Sequence, residues 1–352
     1  MDQDYATLLG SCPVPFQGAT EVLLGHGSGG KLTADLIERL FLPAFQNPYL
    51  AKLDDQAVLE LQGMRLAFTT DAFVVTPIFF PGGDIGRLAV NGTVNDLAMS
   101  GARPLYVSAA FILEEGLWLA DLERIVRSMQ EACATAGVML VTGDTKVVNR
   151  GSGDKVFITT SGIGIIEHAL TIAVDGAQVG DRIILSGTIA DHGMAVMSKR
   201  EGLEFETEIV SDTVALNSLV ASMLEGSAAI HCLRDPTRGG VATTLHEIAR
   251  RSQVGIVLEE QCIPIREEVK GACELLGIDP LYVANEGKLV AIVGREAAEQ
   301  IVERMRGHRD GQAARIIGEI VADHPGMVVM RTGIGGSRII ELPLGEQLPR
   351  IC

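Results

Sequence analysis

Aspartates that interrupt apolar segments are the strongest constraint on this chain. Asp54 and Asp55 stand in "LDDQAVL", Asp71 in "FTTDAF", Asp96 in "VNDLAMSGA", Asp144 in "TGDT" and Asp235 in "RDPTRGG". Each breaks a stretch that would otherwise be buried, where an unpaired charge is costly. Shared divalent cations are the economical partners, since magnesium takes carboxylates together with phosphate oxygens. The formal charge of −16 points the same way. Such a field repels a nucleic-acid backbone, and a bound nucleotide needs local donors or metal ions to overcome it.

A glycine arm, "GHGSGGK", is the second signal. Gly25 to Lys31 spells G-x-x-x-x-G-K, but Leu32 follows where a phosphate loop has the Ser or Thr that holds magnesium. The stretch also fits G-x-G-x-x-G, and no βαβ unit flanks it. A plain flexible loop is one reading. The other is an arm whose backbone at Gly27, Gly29 and Gly30, with Lys31, wraps a polyphosphate. Farther on, Arg87, Asn91 and Asn95 lie four apart on a predicted helix of small residues. That polar stripe suits a close ligand, and equally a dimer contact.

Helical spacing of Leu32, Leu36, Ile37 and Leu40 predicts a first helix after the arm. "DDQAVLEL" and "MRLAFTTDAFVVTP" read as strands, and "DIGRLAVNGTVNDLAMSGA" as a helix begun at Asp84. "LADLERIVRSMQEACATAGV" is a second helix, with Leu122, Ile125, Val126, Met129, Cys133 and Ala136 on one face. "VMLVTGDTKVV" and "KVFITTSGIGII" return to strands. After Glu167, "VGDRIILSG" and "KLVAIVG" read as strands, and "DPTRGGVATTLHEIARRS" as a loop and helix. Strands and helices mix in both halves, so the fold class is α/β and α+β in two domains. The expected division is 1–50 for the arm and first helix, 51–167, 168–338, and a flexible tail at 339–352.

No apolar run reaches the length of a membrane span, and the start, "MDQDYATLLG", lacks the features of a signal peptide. The six cysteines are scattered without a C-x-x-C pair, which argues against structural zinc and fits a reducing cytoplasm. One of them, Cys352, ends the chain in "PRIC". A terminal thiol packs poorly and oxidises readily. On an extended tail of roughly 45 Å it can serve as a carrier that swings between two sites.

"DDQAVL", "TTDAF", "GGDIGRL", "NGTVNDLAMSGARP" and "VTGDTKV" resemble the N-terminal half of a known ATP-binding family. Its members include aminoimidazole ribonucleotide synthetase, selenophosphate synthetase and thiamin-monophosphate kinase. "LRDPTRGGVATTLHEIA" and "ANEGKLV" resemble its C-terminal half. With "GHGSGGK" in front and "PRIC" at the end, the pattern resembles the carbamoyl dehydratase branch, which acts in NiFe-hydrogenase maturation. The resemblance implies an aminoimidazole ribonucleotide synthetase-like fold in which two N-terminal domains pair into a β-barrel at the dimer centre. It implies ATP and Mg2+ beside that barrel. Asp54, Asp55, Asp71, Asp96 and Asp235 are then the metal ligands. Gly27, Gly29, Gly30, Lys31, Asn91, Asn95 and Asp144 are then on the nucleotide. Thr142 stands where relatives of the "GGDT" type have a first glycine.

For Cys352 the resemblance implies the carrier role. HypF, a carbamoyltransferase, loads the sulfur; ATP-driven loss of water converts the carbamoyl group to cyanide; a HypC–HypD complex receives it. An amide oxygen leaves poorly, so it must be phosphorylated first, and a base must take the nitrogen protons. Glu286 is assigned as that base and Lys146 as its electrostatic partner; the ordinary alternatives are a salt bridge from Glu286 to Lys288 and a surface lysine. Competing functions are a family kinase acting on a free small molecule and a non-catalytic ATP-binding scaffold. Selenophosphate synthetases carry a reactive residue near the start, but no matching pattern follows Cys12.

Overall fold

The structure is a computed structural model that describes residues 21–203, 205, 207–226, 229–343 and 350–352. Cys12 and Pro349 lie outside them. After a 3-10 turn at Leu24–Gly27 come α1 (Lys31–Leu36), a π-helical turn, and α2 (Leu42–Ala44). Leu32, where a phosphate loop has its hydroxyl, is buried, so this position serves packing and not a metal.

β1 (Ala57–Leu61) and β2 (Met64–Phe73) form a hairpin. Gln62 and Gly63 turn it, both with positive φ, as a two-residue hairpin loop requires. A short ladder, β3 (Phe79–Phe80) and β4 (Gly83–Asp84), leads into α3 (Ile85–Ala98). The Asp84 carboxylate accepts from the N–H groups of Gly86 and Arg87 and so caps α3 at the predicted residue. β5 (Arg103–Glu114), α4 (Leu119–Ala136), β6 (Met139–Val148) and β7 (Val156–Ile166) complete the half. The sheet order is β1-β2-β7-β5-β6, and only β5 and β6 run parallel, joined by the α4 crossover.

α3 and α4 cover one face of this sheet. α3 lies close because it is built of small residues: a Cβ on Gly92 would sit 2.8 Å from the Phe73 ring. On α4, Ile125, Met129, Cys133 and Ala136 face inward, whereas Val126 is exposed, one step beyond the buried stripe. The other face of the sheet stays open, with Phe68, Tyr106, Ile112 and Ile163 exposed, and β6 is exposed along almost its whole length.

The second half contains β8 (Arg182–Leu185), α5 (Asp191–Glu201), α6 (Asn217–Leu224), β9 (Ile230–Arg234), α7 (Gly240–Ser252), β10 (Gly255–Glu259) and α8 (Glu267–Leu276). It continues with β11 (Val290–Val293), α9 (Ala298–Gly307), β12 (Arg315–Val321), β13 (Val328–Arg331) and β14 (Ser337–Ile340). The sheet order is β14-β13-β10-β12-β8-β11-β9. The tail expected from Ile339 does not begin there. Ile339 and Ile340 pair with Val329 and Val328 in β14, and the Ile340 side chain is buried. Residues 350–352 then lie against the N-terminal half, where the Val74 and Thr76 N–H groups donate to the carbonyls of Cys352 and Arg350.

Candidate active site

A cleft of about 600 Å³ separates the halves, and five of the six interrupting aspartates line it: Asp54 and Asp55 ahead of β1, Asp71 on β2, Asp96 on α3 and Asp235 after β9. Carboxylate oxygens of Asp55, Asp96 and Asp235 lie within 4.8 Å of one another. Burial, then mutual repulsion, pushes Asp96 well above the ordinary carboxylate range. Burial holds Asp55 high as well, against the pull of Arg234. Asp235 is pushed up to about 6, first by burial and then by Asp71. The Thr69 hydroxyl donates to the Asp55 carbonyl at 2.9 Å and to the Asp96 carboxylate at 2.7 Å, and the second bond offsets part of the rise at Asp96.

Two arginines that sequence reasoning did not assign frame the acids. Arg234, at the end of β9, lies 2.8 Å from both Asp55 and Glu247. Arg238 lines the cleft 4.0 Å from Asp71. The signal for Arg238 was the "RGG" that follows the aspartate. Gly239 and Gly240 both have positive φ, and a Cβ on Gly240 would meet the Leu281 and Val283 carbonyls at 2.5 and 2.7 Å. Only glycines make that turn into α7, and it leaves the Arg238 side chain at the cleft.

Glu286 lines the same cleft, only 3% exposed. Its backbone is fixed from two sides: its N–H donates to Asp212 at 3.0 Å, and its carbonyl accepts from Asn95 at 3.3 Å. Its Oε1 is buried without a hydrogen-bond partner. Lys288 pairs with Asp212 at 3.0 Å, so the simple Glu286–Lys288 salt bridge is not formed. Burial, with the charges of Asp235 and Asp71 behind it, pushes Glu286 well above the usual range. Cys352 lines the same cleft, and burial and then the Glu286 carboxylate raise its thiol well above the ordinary value.

Several expected residues are elsewhere. Asn91 and Asn95 are engaged within the chain. Asn91 donates to Thr213 at 3.2 Å; Asn95 donates to the Val214 and Glu286 carbonyls and accepts from the Leu216 N–H. The two asparagines of the α3 stripe are spent on docking the second half, while Arg87 pairs with Glu131 on α4 at 3.8 Å. Asp144 and Lys146 pair with each other at 2.7 Å on β6, both well exposed. β6 is three strand spacings from β2, about 14 Å, so one chain does not bring them to the cleft. Gly29 lines the cleft, and Gly27 lines a smaller cavity beside it. Gly30 and Lys31 are directed at the chain's own C-terminal segment: a Cβ on Gly30 would sit 2.5 Å from the Pro343 carbonyl, which accepts from the Lys31 N–H at 3.0 Å. The Lys31 side chain is exposed and outside the cleft lining.

Fold and site define a class. Residues 53–166 match the family model of the AIR synthase related protein, N-terminal domain, and residues 178–330 that of its C-terminal domain. Carbamoyl dehydratase HypE of Azotobacter vinelandii is 56% identical over 335 residues, 95% of this chain and 98% of that protein. A crystal structure of hydrogenase maturation protein HypE in complex with ATP has a TM-score of 0.80 and 50% identity, covering 94% of this chain and 100% of that one. A HypE–HypF complex gives a TM-score of 0.84 and 51% identity over 88% of this chain and 99% of that one. The chain belongs to the HypE carbamoyl dehydratases. Among the described residues, no helix is long and apolar enough to cross a membrane.

Proposed function

We propose that this protein converts a carbamoyl group carried on the sulfur of Cys352 into a cyano group at the expense of ATP, supplying the cyanide ligands of a NiFe-hydrogenase iron. One observation carries this reading: Cys352 and the acid cluster line one cleft, with Glu286 facing both. The acids fit a divalent cation. Three carboxylates converge within 4.8 Å, and the buried Asp55 Oδ2 accepts no aligned hydrogen bond even from Arg234 beside it. Asp55, Asp96 and Asp235 would hold magnesium, with Asp54 and Asp71 at its margin. Bound ATP with that ion supplies the phosphoryl group that turns the amide oxygen into a leaving group.

The chain's own groups do the rest. One nitrogen proton leaves as the amide oxygen takes the phosphoryl group, and the other as the C–O bond breaks and phosphate departs; Glu286, beside the sulfur, accepts the second, and the first passes to solvent. Arg238, between Asp71 and Cys352, balances the negative charge that gathers there. HypF is the enzyme that loads Cys352, and a HypC–HypD complex the acceptor that unloads it. The protein works as a homodimer. The open sheet face with Phe68, Tyr106 and Ile163 needs a cover, and pairing there supports the β-barrel at the dimer centre. Only a second copy can carry Asp144 and Lys146 toward a cleft.

Mass spectrometry of the C-terminal peptide tests the function. After incubation with HypF, carbamoyl phosphate and ATP, Cys352 should carry a carbamoyl group, and on full turnover a cyano group. An unmodified Cys352 with active HypF overturns the reading.

A further inference from the structure

The end of the chain is held in the cleft by its backbone. The Arg350 carbonyl accepts from the Thr76 N–H at 3.1 Å and from the Arg200 guanidinium at 2.7 Å. The Ile351 carbonyl accepts from His192 Nε2 at 2.9 Å, and the Cys352 carbonyl from the Val74 N–H at 3.0 Å. The Ile351 side chain is 3% exposed and joins the core of Phe73 and Val75. The Arg350 guanidinium pairs with Asp154.

His192 has no part in the chemistry above, yet it is fully buried on α5 and fixed from every side. Phe80 packs edge-on, with ring centroids 5.4 Å apart. His192 Nδ1 lies 2.8 Å from Ser211 Oγ, which accepts from the Thr213 N–H. The Ile351 carbonyl can only accept, so Nε2 carries the proton, and Ser211 donates to Nδ1. The result is a neutral ring with one tautomer and one N–H, aimed at one tail carbonyl. Arg200, at the other end of α5, also donates to the Thr76 carbonyl at 2.7 Å, and so clamps the tail to the segment that follows β2.

We propose that His192 and Arg200 are positioning residues that latch the chain end by its backbone, and so set the partition of Cys352 between the Glu286 site and a partner enzyme. The proposal rests on the carrier reading of Cys352. Because the contacts are to carbonyls, the latch is blind to what the sulfur bears: thiol, carbamoyl and cyano forms dock alike. If the tail leaves, the buried Nε2–H of His192 loses its partner, which favours the docked state. The docked thiol is poorly ionised, so reaction with outside electrophiles requires release.

The test uses the full-length protein with His192→Phe, His192→Gln, Arg200→Met and Arg200→Lys. Alkylation of Cys352 by iodoacetamide is followed on the C-terminal peptide, beside the rate of carbamoyl-to-cyano conversion after loading by HypF. His192→Phe and Arg200→Met should speed alkylation about tenfold and slow conversion by a similar factor, the scale of one lost buried hydrogen bond. ATP binding should be unchanged and loading equal or faster. His192→Gln and Arg200→Lys, which keep an N–H donor, should recover part of both effects. Folded His192→Phe and Arg200→Met proteins with unchanged alkylation and conversion overturn the latch. Should His192→Phe not fold, Ser211→Ala, which frees the tautomer, joins Arg200→Met under the same criterion. Faster alkylation in the variants, when unsubstituted Cys352 never accepts a carbamoyl group, keeps the latch and removes the carrier reading.

Discussion

Asn95 and Asp96 are neighbours on α3 with opposite assignments: Asp96 turns to the acid cluster, while Asn95 reaches across to the carbonyl of Glu286 at 3.3 Å. One helix thus fixes both a carboxylate of the acid cluster and the backbone of the proposed base. The pair predicts a separation. Asp96→Asn should weaken binding of magnesium-ATP by at least about tenfold and leave the fold intact, since removing even an outer partner of a metal ligand costs that much. Asn95→Ala strands the Val214 and Glu286 carbonyls and the Leu216 N–H, and should lower stability by about 2–4 kcal/mol. Calorimetry and thermal melting on both variants check this. A loss of nucleotide binding in Asn95→Ala at unchanged Tm would reverse the assignment.

As the proposed base, Glu286 should govern the pH profile of dehydration. It acts as base only when ionised, and burial holds its pKa well above 4.5. The conversion rate should therefore rise with pH through a limb that lies above the ordinary carboxylate range. Glu286→Gln should remove that limb, slow conversion by about 10²–10⁴-fold and still allow loading by HypF. Quenched-flow mass spectrometry at a series of pH values gives both readouts.

Magnesium should stabilise the protein more as pH rises. Asp55, Asp96 and Asp235 all have folded pKa values above their unfolded value of 3.8. The stability linked to such protons is fully present below that value. It is lost as pH climbs through about 6 for Asp235, and through the raised pKa values of the other two. A cation prefers the ionised cluster, so it restores what deprotonation removes. Thermal melts from about pH 5 to about pH 8, with and without magnesium, should show a widening gap in Tm. A gap independent of pH would separate the ion from these acids.

The acid cluster was legible because each aspartate broke an apolar run, a pattern one chain segment displays by itself. Asp84 as helix cap and the small face of α3 were local in the same way. The fate of Asn91 and Asn95 was not legible, since Thr213 and Val214 lie about 120 residues away and no periodicity announces them. β5 was missed although Val107 and Ala109 are buried, because "RPLYVSAAFILE" mixes small and large residues without clean alternation. Lys146 sat in a motif that looked catalytic, yet strand order puts it at the sheet edge. His192 gave no signal, because what it binds is a backbone carbonyl at the other end of the chain.

The sheet edge carries its own prediction. Met139, Leu140, Val141 and Val147 on β6, with Tyr106 and Ile163, leave too much apolar surface for a lone chain. Sedimentation at micromolar concentration should give a dimer. Tyr106→Glu should shift it to monomer and lower dehydration along with Lys146→Ala, since both withdraw the β6 residues from a partner's cleft. A clean monomer of the unsubstituted protein would remove the barrel from the reading.

Cys352 separates binding from chemistry. The acids proposed to bind nucleotide and metal approach the cleft from β1, β2, α3 and β9, and none depends on the sulfur. Cys352→Ala should therefore bind ATP normally and form the dimer, yet never carry the mass of a carbamoyl or cyano group. Cys352→Ser is sharper. The docked thiol is already held above its usual pKa by burial and Glu286, so loading belongs to the released tail, where the thiol ionises in the ordinary way. A serine hydroxyl gains no comparable nucleophile on release, because an alkoxide is far harder to form near neutral pH. This near-isosteric change should abolish loading while leaving the backbone latch, and hence docking, in place. Cys133, Cys232 and Cys273 are buried, and Cys262 lies outside the cleft, so their replacement should leave loading intact. A carbamoyl group found on any of them, or a Cys352→Ser protein that still matures hydrogenase in cells, would make the chain end a docking element and not a carrier.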